Sequence, residues 1–216
     1  MAASAQFAST VAELTSLWAP RPRVDSFAWI RRHVKMPDGQ PFDADAYPWT
    51  KAICAAWDDP AVRNIWLQMG SRLGKTAIAQ SLLICGLANH PAGALFGSST
   101  EHVASNIIAQ KIYPMIDRCR PLDGQLPPEH RRSRHVVLLR HARMHVAWSG
   151  SVSTLADLEA RYLHANEIDK WDRDVSSEAD SLELFTERAK NVPDAKGIFE
   201  STPAERGSSR VEMGLL

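Results

Sequence analysis

The sequence predicts an α/β protein with a mostly parallel central sheet flanked by helices. Three observations carry this. Ile65 to Met69 is an apolar run, Gly70 to Gly74 a glycine-containing turn, and Lys75 to Ile84 an uncharged, helix-favouring segment. The same order recurs at once: Ala94 to Ser99 reads as a short buried strand, and Thr100 caps a helix with Val103, Ile107, Ile108, Ile112 and Met115 on one face. Two more strand-like runs, Arg161 to Asn166 and Gly197 to Pro203, each follow a helical segment. Strands alternating with helices argue for parallel pairing.

A chain of 216 residues suits one large or two small domains with a substantial core. We expect a helical or edge segment over residues 1–40 and the main domain over 41–216. With 44% hydrophobic and 23% charged residues, the composition is that of a soluble globular protein. Lys plus Arg and Asp plus Glu balance at 25 each, so any nucleic-acid site must be a local patch. Cys54, Cys85 and Cys119 are far apart without C-x-x-C spacing, which fits a reducing compartment and no metal cage. The N-terminus lacks the basic start and apolar core of a signal peptide, and no run reaches the roughly 20 apolar residues of a membrane span. The chain stops at Val211 to Leu216 in what reads as the start of a helix, so a fragment is expected.

Taken in order, Phe7, Val11, Leu14 and Leu17 lie at helical spacing before Ala19-Pro20-Arg21-Pro22 breaks the pattern. Arg21 to Lys35 mixes apolar and basic residues, as either an amphipathic cover for the core edge or a nucleic-acid arm. Pro37-Asp38-Gly39 signals a turn. A helix is expected from Thr50 to Trp57, ended by Asp58-Asp59-Pro60. Beyond the 100–115 helix, Arg120 to Arg134 is polar and Pro-rich. The runs 134–139 and 143–149 suggest a hairpin turning near Arg140-His141-Ala142. A short helix-like piece follows around Leu155 to Ala160, then the 161–166 strand. A charged loop leads to a helix carrying Leu182, Leu184, Phe185 and Ala189.

The 65–84 stretch has the layout of a phosphate-binding loop. Backbone N–H groups at the turn and helix N-terminus, with the helix dipole, favour an anion there. Gly70, Ser71, Arg72, Leu73, Gly74, Lys75, Thr76 and Ala77 would form the cradle. Lys75 would reach the β- and γ-phosphates, and the Thr76 hydroxyl would take Mg²⁺. The match to G-x-x-x-x-G-K-[ST] is incomplete, because Met69 stands where the first glycine belongs. The bland alternative is a strand–turn–helix corner with a solvated lysine.

Nucleotide hydrolysis also needs a carboxylate to activate water and an acidic group at a neighbouring strand end for the metal. Asn166-Glu167 sits at such an end, where ligands of doubly wound sheets bind. Glu167 is the candidate general base, against a plain capping or surface carboxylate. Asn166 offers the metal an oxygen without the charge that hard cations favour, and Asp169 compensates only if the backbone turns it back. Weak turnover is therefore expected, with a gain for Asn166→Asp and a loss for Glu167→Ala. Ser201 and Thr202 would sense the γ-phosphate and couple its loss to motion. Arg72 is either an arginine finger or part of a structural ion pair. The basic cluster around Arg131, Arg132 and Arg134 is either a solvated loop or a contact to DNA phosphates.

Several blocks resemble, in order and spacing, the ATPase domain of lambda-like phage terminase large subunits. Tyr47-Pro48-Trp49 through Asp58-Asp59-Pro60-Ala61-Val62-Arg63 is similar to that family's opening helix and turn. Gly70 to Thr76 resembles its deviant phosphate loop, in which the first glycine is typically missing. Ser98-Ser99-Thr100-Glu101 and Ile112-Tyr113-Pro114-Met115-Ile116 look like its next strand end and helix. Asn166-Glu167-Ile168-Asp169 resembles its D-E-[VI]-D, with Asn166 at the usual aspartate, and Ser201-Thr202-Pro203 resembles its coupling motif. The usual glutamine after the aromatic of the adenine-side motif is absent, which leaves base stacking to Tyr47 or Trp49.

The resemblance covers roughly residues 24 to 212. It implies a P-loop NTPase fold of the additional-strand type, with the Ser201-Thr202 strand between the phosphate-loop strand and the Asn166 strand. It implies ATP and Mg²⁺ as cofactors. The implied partners are double-stranded DNA, a portal protein, a small terminase subunit and further copies in a ring on the portal, with no membrane, in the host cytoplasm. A nuclease domain would lie outside this chain. Two rivals stay open: a helicase-like ATPase on nucleic acid, and a nucleotide-binding assembly module with little turnover, which Asn166 keeps in play.

Overall fold

The computed structural model describes residues 23–156, 158–172, 180–203 and 209–214. The helix expected over residues 1–20, most of the charged loop before residue 180 and Gly207-Ser208 lie outside them.

Six strands form one sheet: β1 (Asn64–Gln68), β2 (Gly93–Ser98), β3 (Val136–Leu138), β4 (Arg143–Trp148), β5 (Tyr162–Asn166) and β6 (Lys196–Ser201), in the order β1-β6-β5-β2-β4-β3. Every neighbouring pair is parallel except β3 with β4, the expected hairpin at one edge. β6 lies between β1 and β5, as the resemblance implied. Parallel pairing puts the C-terminal ends of β1, β6, β5 and β2 along one rim, where the functional residues gather.

The central strands are buried on both faces, as all-parallel sheets require. Successive side chains alternate between two apolar clusters: Ala94, Phe96, Tyr162 and Ile198 enter one, Leu95, Leu163 and Phe199 the other. The first cluster is covered by α1 (Ser26–His33), α2 (Thr50–Asp58) and α3 (Lys75–Asn89), through Ile30, Cys54, Trp57, Ile78, Leu82 and Leu83 among others. The chain from residue 26 onward thus packs into the same core as the phosphate-loop strand. The second cluster is covered by α6 (Val152–Ala156), α7 (Ser181–Glu187) and α8 (Arg210–Met213), through Leu155, Phe185 and Val211. Fully burying one such large side chain contributes about 1.5–3 kcal/mol. Gly97 sits where β2 passes under Trp171 and Phe185; a Cβ there would lie 2.6 Å from each ring.

Two local expectations need correction. The 100–117 helix is broken: α4 (Glu101–Ile107), a π-helical turn over Ile108–Ile112, then α5 (Tyr113–Asp117). Pro114 has no N–H to offer the carbonyl one turn back, and a π turn absorbs such a defect. Val103 is 39% exposed, because Ala104, four residues before Ile108 and eight before Ile112, is the residue in line with the buried face. The helix expected at Leu155–Ala160 instead spans Val152–Ala156. The Ala160 amide is bonded to the Arg188 carbonyl at 2.9 Å, which commits residue 160 to the approach into β5. Cys54, Cys85 and Cys119 are all buried and unbridged.

Candidate nucleotide site

The loop between β1 and α3 is shaped by Gly74. It caps α3 in the left-handed region at φ 78°, and a Cβ there would meet the Tyr47 ring at 3.1 Å, so only glycine fits. The first amide to bond within the helix is that of Ile78, to the Gly74 carbonyl at 3.0 Å, so the N–H groups of Lys75, Thr76 and Ala77 precede the ladder. The Met69 amide is bonded to the Ser201 carbonyl at 3.2 Å, which ties the start of the loop to the end of β6. Gly70, Ser71, Arg72 and Leu73 are exposed.

Lys75 is buried, yet it reaches two groups that lie just past the ends of β5 and β6. Its Nζ lies 3.0 Å from Glu167 Oε1 and donates to Thr202 Oγ1 at 2.9 Å. Burial acts to raise the Glu167 pKa, but Lys75, through its hydrogen bond and charge, together with Lys170 and the Thr202 amide, brings it below its ordinary 4.5. Glu167 is therefore an ionised carboxylate whose charge is held by the lysine of the phosphate loop. Its backbone is left-handed at φ 52°, and the other non-glycine residue with positive φ among the described residues is Arg72, at 62°. Strain of that kind costs of order 1–3 kcal/mol and concentrates at functional sites. Among the described residues Arg72 makes no hydrogen bond or ion pair, so its structural ion-pair alternative gains nothing here.

Beneath Lys75 lies a polar group that sequence reasoning missed. Glu200, on β6, is completely buried. Its Oε2 accepts from the Thr76 hydroxyl at 2.8 Å, and its Oε1 accepts from Asn166 Nδ2 at 2.9 Å and lies 3.2 Å from His164 Nε2. A bond donated by His164 to that oxygen requires the tautomer with its proton on Nε2. Register explains the meeting: Asn166 and Glu200 are paired residues of adjacent parallel strands, so their side chains share a face, the one under α3. The signal was available in principle, since a charged residue in a strand otherwise reading Gly197-Ile198-Phe199 is out of place in a sheet buried on both faces. Asn166 Oδ1 also accepts from Ser98 Oγ at 3.4 Å, joining β2 to the group.

Asp169 does not turn back toward the metal side. Its carboxylate accepts from Ser209 Oγ at 2.7 Å and from the Val211 amide at 3.2 Å, anchoring the start of α8. Ser201 is buried and accepts from the Asp169 amide at 3.2 Å, so the coupling strand is stitched to the turn after Glu167.

Tyr47 and Trp49 both reach the loop. Trp49 Nε1 donates to the Leu73 carbonyl at 3.1 Å, and the two rings meet edge-on, 5.8 Å between centroids. Trp49 is 38% exposed, leaving ring surface for a base. The basic cluster divides. Arg132 binds Asp117 through both oxygens, at 2.6 and 2.8 Å, and lies over the Tyr113 ring. Arg131 and Arg134 are exposed.

Mg²⁺ keeps most of its water and takes one or two protein oxygens beside nucleotide phosphates. A hydroxyl backed by a buried carboxylate, Thr76 with Glu200, fits that demand. No cluster of three or more His, Cys, Asp or Glu that could cage a metal occurs among the described residues. Nor, among them, is any helix long and apolar enough to cross a membrane.

A phosphate loop opening a helix beside an inserted strand, with a carboxylate at the next strand end, defines a P-loop NTPase of the additional-strand type. The chain belongs to the family of phage terminase large subunit gpA ATPase domains, whose model matches residues 38–214. Among solved structures it is similar to the large terminase of bacteriophage HK97, with TM-score 0.72 and 17% identity over 88% of this chain and 40% of that one. It is also similar to the large terminase ATPase domain of Thermus phage P74-26, with TM-score 0.53 and 15% identity over 76% of this chain and 70% of that one. The chain thus spans less than half the length of the HK97 protein it matches. None of the curated proteins matches.

Proposed function

We propose that this chain binds ATP with Mg²⁺ and hydrolyses it as the motor part of a DNA-packaging terminase. The observation that carries the reading is the meeting of Lys75, Glu167 and Thr202 at the helix N-terminus that a phosphate would occupy. The loop amides and Lys75 hold the phosphates, and Tyr47 and Trp49 face the base. When bound, the metal neutralises charge on the β- and γ-oxygens. Thr76 would hold it, with Asn166 behind.

Lys75 is the element that changes partners. An arriving γ-phosphate competes with Glu167 and Thr202 for its three protons. As Lys75 moves to the phosphate, Glu167 loses the cation that holds its pKa down and becomes a better base. It then takes a proton from the attacking water as the oxygen adds to the γ-phosphorus and the bond to the β–γ bridging oxygen breaks, releasing ADP and phosphate. Thr202 gives up its lysine at the same moment, so Ser201 and Thr202 register the phosphate's arrival and loss. Arg72, exposed beside the loop, is placed to meet charge from the nucleotide of its own or a neighbouring copy.

By family, the work is translocation of double-stranded DNA into a procapsid, by a ring on a portal protein with a small terminase subunit, in the host cytoplasm. Arg131 and Arg134 are the basic residues free to touch DNA. The test is ADP and ATP binding by calorimetry with single-turnover hydrolysis. Lys75→Ala should abolish tight binding, and Glu167→Ala should keep binding and stop turnover. A wild-type chain that binds no nucleotide refutes the reading.

A further inference from the structure

We propose that Glu200 supplies the metal-side negative charge of this site, moved one strand over from the position that Asn166 occupies. The inference rests on the nucleotide reading above and names a residue that neither the sequence motifs nor the family description assigns.

Burying a carboxylate completely is costly unless it is well paired, and an apolar side chain would serve a core strand better. Glu200 is 0% exposed, and among the described residues it pairs with no lysine or arginine. Its three partners are a hydroxyl, an amide and an imidazole. The hydroxyl and the amide both donate to it, one to each oxygen, so the surroundings offer donors to both sides of the carboxyl group.

What that anion does follows from the Thr76 hydroxyl. A hydroxyl has one proton and two lone pairs. At 2.8 Å its proton goes to Glu200, which leaves both lone pairs directed away from Glu200 and available to a metal. Glu200 therefore orients the metal ligand and makes its oxygen more electron-rich, and it adds the negative charge that Asn166 cannot. Asn166 fits this arrangement as a donor: its Nδ2 satisfies the carboxylate that replaced it. The Asn–Glu pair is a complementary exchange between adjacent strands and leaves one net negative charge at the site. Glu200 acts through Thr76, so it is a positioning residue.

The experiment measures ADP affinity by calorimetry with Mg²⁺ and with EDTA, so that the metal-induced gain is read as a ratio within each protein. Glu200→Gln should cut that gain by roughly 10- to 100-fold, as loss of an outer-shell partner typically does, and leave ADP affinity in EDTA near wild type. The exchange variant Asn166→Asp/Glu200→Gln, which returns the charge to β5, should recover most of the gain. A Glu200→Gln protein that unfolds like wild type and keeps the full gain overturns the proposal, since Glu200 is then only a core anchor. If Glu200→Gln fails to fold, the exchange variant decides: folded with a wild-type gain supports the exchange, folded without it overturns it. A wild-type chain that binds ADP equally in Mg²⁺ and EDTA also overturns it, whereas one that binds no ADP sinks the nucleotide reading instead.

Discussion

Asn166→Asp is the change that the resemblance to the D-E-[VI]-D motif suggests and that the structure argues against. Asn166 Nδ2 donates to Glu200 Oε1 at 2.9 Å, with both side chains buried. The substitution turns that donor into a second anionic oxygen. At an effective dielectric constant of about 20, two unit charges 2.9 Å apart repel by about 6 kcal/mol, and by about 3 kcal/mol if the side chains swing to 5 Å. Loss of the hydrogen bond adds about 1 kcal/mol. In a chain of this size each kcal/mol moves Tm by about 2–4 °C, so the single variant should melt roughly 10 °C or more below wild type in metal-free buffer. Mg²⁺ with ADP should narrow the gap, since a ligand that binds only the folded state stabilises it. Adding Glu200→Gln should restore most of the stability, giving a large coupling in a double-mutant cycle. The gain in turnover expected from sequence would then come with a loss of stability. An Asn166→Asp protein that melts at or above the wild-type temperature without metal would refute the reasoning, because the two carboxylates could then not be neighbours.

Acid should act on the Lys75–Glu167 pair. The Glu167 pKa is lowered on folding, so its contribution is complete above the ordinary 4.5 and fades as pH falls through the lower folded-state value; Glu167→Gln should flatten that limb of the stability–pH curve in urea melts. Burial pushes the Cys54 thiol up to about 12 and the Cys119 thiol to about 11, and raises Cys85 as well. All three should therefore resist iodoacetamide in the native protein at pH 8 and react only after unfolding, as mass spectrometry would record. Gly97→Ala should destabilise by about 1–3 kcal/mol through overpacking against Trp171 and Phe185, read as a lower urea midpoint. Arg131→Ala with Arg134→Ala should weaken DNA binding and reduce the salt slope by about 1.8 if both residues touch phosphates. Arg132→Ala should instead lower Tm, because it removes the bidentate pair with Asp117.

The fold was largely legible because periodicity reports burial. Apolar runs at 65–69, 94–98 and 162–166 mark strands covered on both faces, and the Gly74-Lys75-Thr76 turn marks where the first one feeds a helix. The exceptions arise where one backbone group overrides the pattern: Pro114 forces a π turn, and the Ala160 amide bonds to Arg188 instead of continuing a helix. The site was legible where its residues are contiguous, as at 70–77 and 166–167. Glu200 was not, because its meaning depends on parallel register with Asn166, 34 residues away. No spacing rule along one strand encodes what stands beside it on the next.

The same distance in sequence explains how the site can work as a switch. Lys75 belongs to the phosphate loop, Glu167 to the end of β5 and Thr202 to the end of β6, so one side chain spans three strand ends. Thr76, Asn166 and Glu200 form a second tie across the same three elements, one layer deeper. The two ties differ in what can break them. The deeper one is fully buried at Glu200 and has no competing ligand, so it holds the strands in register. The upper one is held by a lysine that a phosphate also attracts, and it ends on Glu167, a residue already strained at φ 52°. On the proposed function, nucleotide would exchange the upper contacts while the lower ones keep the sheet intact. Motion would then pass to the turn after Glu167, where Asp169 carries both the Ser201 contact and the anchor of α8.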